Sequence, residues 1–78
     1  MPANVRIPAA TLEHYVESAF RAGEPLSRDE LIQHAVVSGA PALVIEVLEN
    51  LNEIQQFYSV QQVVQPLRGQ GFLTDYRR

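Results

Sequence analysis

Cysteine is missing from the chain. That excludes disulfides and thiolate metal sites, and it permits a reducing compartment. Lysine is missing too: the six basic residues are all arginines, which removes Schiff-base chemistry. No stretch approaches the ~20 apolar residues that a membrane span requires. The opening residues, Met1 to Pro8, hold no apolar run able to serve as a signal-peptide core. The expectation is a cytoplasmic protein with no membrane association. No nucleotide-binding glycine pattern is present, since Gly69 and Gly71 follow no predicted strand and open no predicted helix. Ser27 and Ser59 have no histidine–acid arrangement visible near them. Neither an enzyme nor a cofactor nor a small-molecule substrate is expected.

What is present has to fold with little to spare. The 78 residues allow one domain, 1–78, whose core supplies only about 3–5 kcal/mol of net stability. With no disulfide available, self-association or a partner is the remaining way to reinforce it. The net charge of −3 is unevenly distributed. Residues 1–54 carry eight acids against Arg6, Arg21 and Arg28, whereas residues 55–78 carry Asp75 against Arg68, Arg77 and Arg78. An acidic domain is repelled by phosphate backbones unless its cations are concentrated, and the tail holds the only such concentration.

Four helices are predicted, over 8–22, 28–38, 41–51 and 60–68, giving an all-α bundle. Residues 1–7 are expected to be flexible and 69–78 to form an irregular tail. In the first helix Pro8 suits the opening position. Leu12, Tyr15, Val16, Ala19 and Phe20 then share one stripe, and Gly23 and Pro25 stop the chain. Ser27-Arg28-Asp29-Glu30 is a capping box flanked by Leu26 and Leu31, and Leu31, Ile32, Ala35 and Val36 form the next stripe, which Gly39 ends. The third helix is apolar over more than half its circumference through Leu43, Val44, Ile45, Val47, Leu48 and Leu51. That breadth predicts that it is the central element. Ser59 to Gln62 reads as a second capping box, Val60, Val63, Val64 and Leu67 as a narrower stripe, and Pro66 as a limit or kink. Phe57 is read as a core plug that closes the bundle over the fourth helix.

The run Pro25 to Ala35, then Ser38-Gly39-Ala40-Pro41, then Val47 to Leu51, resembles the bacterial domain-of-unknown-function family 2795. Its pattern is P-x-S-x-x-E-L-x-x-H-A…G-A…L-x-x-L, followed by an aromatic, a serine cap and a valine, here Phe57, Ser59 and Val63. The resemblance is concentrated in residues 25–51 and implies a compact helical fold with no assigned activity. Against the family's pattern, Asn52 replaces a proline and the link to Phe57 is one residue longer. Val36, Val37, Ala42 and Leu43 are apolar where the family's helices look polar. Such a surplus on a small domain marks an interface.

A protein-interaction module, self-associating or docking onto a larger assembly, is therefore the favoured function. Its candidate surface comprises Val37, Leu43 and Ile45, with Tyr58, Phe72, Leu73 and Tyr76 as secondary members. The alternative is a nucleic-acid-associated regulator using the helix-turn-helix-like second and third helices together with Arg68, Arg77 and Arg78. Its would-be reading helix has no arginine, lysine or glutamine and carries two glutamates, which leaves base reading without donors. His14 and Glu17 stand at i, i+3, but no further pair completes a metal site. His34 is read as structural, hydrogen-bonded to a neighbouring turn.

Overall fold

Ser27 and Glu30 close the capping box that their spacing predicts. Ser27 Oγ accepts the Glu30 backbone N–H at 3.2 Å, and Glu30 Oε1 accepts the Ser27 N–H at 2.8 Å. Two of the amides left over at that helix end are thereby satisfied, and α2 runs on over Arg28–Val37. A computed structural model of the chain describes residues 6–74. Ahead of α2 lie β1 (Ile7–Pro8), α1 (Ala9–Ala19), a 3-10 turn (Phe20–Ala22) and β2 (Leu26–Ser27). After it come α3 (Ala42–Leu48), β3 (Gln56–Phe57), α4 (Val60–Gly69) and β4 (Leu73–Thr74).

The fold is mostly helical, but all-α is too strict a description. Its two-residue strands form two small ladders. β1 runs parallel to β4 with Ile7 opposite Leu73, and β2 runs antiparallel to β3 with Leu26 opposite Phe57. Strands this short cannot display an alternating pattern, so periodicity does not reveal them. The first ladder corrects the expectations for both chain ends. Ile7 is buried and its N–H donates to the Phe72 carbonyl at 3.1 Å, so Ile7 itself is fixed against the core. Leu73 is buried in β4, so the segment after α4 is ordered at least to Thr74. Pro8, extended at ψ 139°, caps α1 from outside instead of opening it, because it also belongs to β1.

Glycine explains how the chain returns. Gly39 and Gly71 both adopt positive φ, 80° and 88°. After α2 the Gly39 N–H bonds to Val36 O and the Ala40 N–H to Ala35 O; after α4 the Gly71 N–H bonds to Arg68 O and the Phe72 N–H to Leu67 O. Both sets are Schellman motifs, in which a left-handed residue lets two amides turn back onto orphan carbonyls. The second motif aims the chain into β4.

Three helix details depart from expectation. α3 is shorter than 41–51 because the Asn50 side-chain amide donates to Glu46 O at 2.9 Å. That carbonyl would otherwise take the Asn50 backbone N–H, which bonds instead to Val47 O. α4 continues through Pro66 to Gly69, with both Pro66 and Gln62, whose carbonyl loses its helical donor, on the exposed side. The second capping box is also displaced. Ser59 Oγ accepts the Gln62 N–H at 3.4 Å, but Gln62 Oε1 takes the Tyr58 N–H at 2.7 Å rather than that of Ser59. Ser59 sits at φ −153° against −86° for Ser27, which turns its own amide away from the glutamine.

The hub is α1, not α3. α1 packs against both α2 and α4, while α3 packs chiefly against α2 and β1. Seven residues make a helix only about 10 Å long. It buries one ridge, Val44, Val47 and Leu48, and leaves the rest of its apolar circumference half-covered or bare. The core joins that ridge to Leu12 and Val16 of α1, Leu31 and Ala35 of α2, and Val63, Val64 and Leu67 of α4. Phe57 is its largest fully buried side chain, as the plug reading expects.

Candidate interaction groove

Glu30, Gln33, His34 and Val37 fall at i, i+3, i+4 and i+7 and so share one stripe of α2. Together with Ala19 at the end of α1 and Leu26 of β2 they line an open groove of about 340 Å³. The capping box positions the groove by setting where α2 starts and holding β2 against it. His34 forms part of the floor. Its Nε2 lies 2.9 Å from Ser18 Oγ, and that hydroxyl donates to Tyr15 O at 3.2 Å. Which of the two groups donates depends on the imidazole tautomer. The bond ties α2 to the last turn of α1, the structural role expected for His34.

Val37 is 75% exposed on the groove's rim, and Val36, Leu43 and Tyr58 are exposed as well. Val36 is a correction to the buried stripe of α2. The remaining sequence candidates divide. Ile45 and Phe72 are half-buried against the core and Leu73 is buried, so each leaves less of its surface open than Val37 does. Their apolar periodicity marked the core, and periodicity alone cannot separate an inner position from an outer one on so broad a stripe. Tyr76, Arg77 and Arg78 lie outside the described residues. Ile54 went unnoticed in the sequence although it is 84% exposed. It occupies a turn in which its N–H bonds to Asn52 Oδ1 at 3.0 Å, and an aliphatic residue alone among Asn52, Glu53, Gln55 and Gln56 is the signal for it.

Of the arginines considered for nucleic-acid binding, only Arg68 falls among the described residues. Arg68 is half-buried in the last turn of α4. Arg28 reaches away from the groove, donating to Glu49 O at 3.3 Å and pairing with Glu53 at 3.2 Å and Asp29 at 3.1 Å. His14 is exposed and edge-on to Tyr15, ring centroids 5.0 Å apart. Among the described residues, no group of three histidine or carboxylate side chains is gathered as a metal site would need, and no helix is long and apolar enough to cross a membrane.

The family described as "Protein of unknown function (DUF2795)" matches residues 25–64. That is half of the chain, and the chain belongs to this family. The match spans β2 to the first turns of α4 and so includes most of the groove, with Ala19 of α1 outside it. No curated protein and no solved structure matches.

Proposed function

We propose that this domain is a non-catalytic docking module whose binding surface is the groove between the end of α1 and α2, with Val37 on its rim. The observation that carries this reading is the exposure of Val37 beside an apolar-walled groove. Burying one such side chain against a partner is worth about 1.5 kcal/mol or more, a large gain for a domain with little core. The surrounding polar groups already have structural work: Glu30 caps, His34 ties, and Arg28 braces α3.

The test compares the chain with its Val37→Ser variant. Val37 lies outside the core, so the variant keeps its fold and its urea midpoint. Some association of the unmodified chain, in sedimentation or in co-purification from its source cell, is expected to weaken about tenfold in the variant. A chain that sediments as a monomer, and whose co-purifying proteins are the same with and without Val37, would overturn the proposal.

A further inference from the structure

We draw no further inference here: the strongest candidate, the apolar-walled groove between the end of α1 and α2 with Val37 on its rim, belongs to the site already described, and nothing in the structure shows what covers it.

Discussion

Ser27 caps the start of α2 and Val37, ten residues on, is its last residue, and a single side chain at each does a different kind of work. Ser27 closes the start of α2 by a hydrogen bond that depends only on residues within one turn, so it is readable directly from the sequence. Ser27→Ala removes the acceptor for the Glu30 amide and is expected to lower stability by about 1 kcal/mol, read as a reduced urea midpoint with an unchanged slope. A change of that size is a substantial share of the few kcal/mol available to so small a core. Val37 was nominated on apolar surplus, and the structure leaves it exposed. Ile45 was nominated on the same grounds and packs against the core. The two differ in what the neighbouring helices cover, which their own sequence context does not contain.

Among the elements, the segment after α4 shows most clearly what a local reading misses. Its two glycines suggested irregularity, yet Gly71 is the left-handed residue of a helix stop with the same bonding as Gly39. The analogy between Gly39-Ala40 and Gly71-Phe72 was available in the sequence. Missing was the knowledge that a strand from the other end of the chain waits beside it. No neighbouring atom crowds Gly71, so Gly71→Ala is opposed by backbone conformation alone. It is expected to cost about 1 kcal/mol and to speed amide hydrogen exchange at Ile7 and Phe72, since both amides depend on that turn. Unchanged exchange at Ile7 would mean that the β1–β4 ladder forms without it. Pro66 teaches the converse lesson. Its missing donor was read as a limit or a kink in a helix expected to reach residue 68, and α4 runs on to Gly69 because on the exposed side the freed carbonyl can turn to water.

At the scale of the molecule, the core is small, with no buried polar or charged residue among those described. Phe57 binds the two halves of the fold, since it is paired with Leu26 across β2–β3 and its strand packs on α4. Phe57→Ala is expected to cost about 3–5 kcal/mol, comparable to the whole net stability of a domain this size. The variant should therefore lack cooperative thermal unfolding at 25 °C, while Val37→Ser keeps it. That contrast separates a residue that holds the fold from one proposed to hold a partner.

The sequence by itself determined what short-range chemistry can encode: helix starts at hydroxyl caps, helix stops at glycines, the 3.6-residue stripes, and the family to which residues 25–64 belong. Only the tertiary structure decided which helix is the hub, that Ile7–Pro8 and Leu73–Thr74 meet in a ladder, and which apolar residues remain outside. Those outcomes depend on contacts between residues far apart in the chain. A stripe records that a face is apolar, and its neighbours in space decide whether that face is covered.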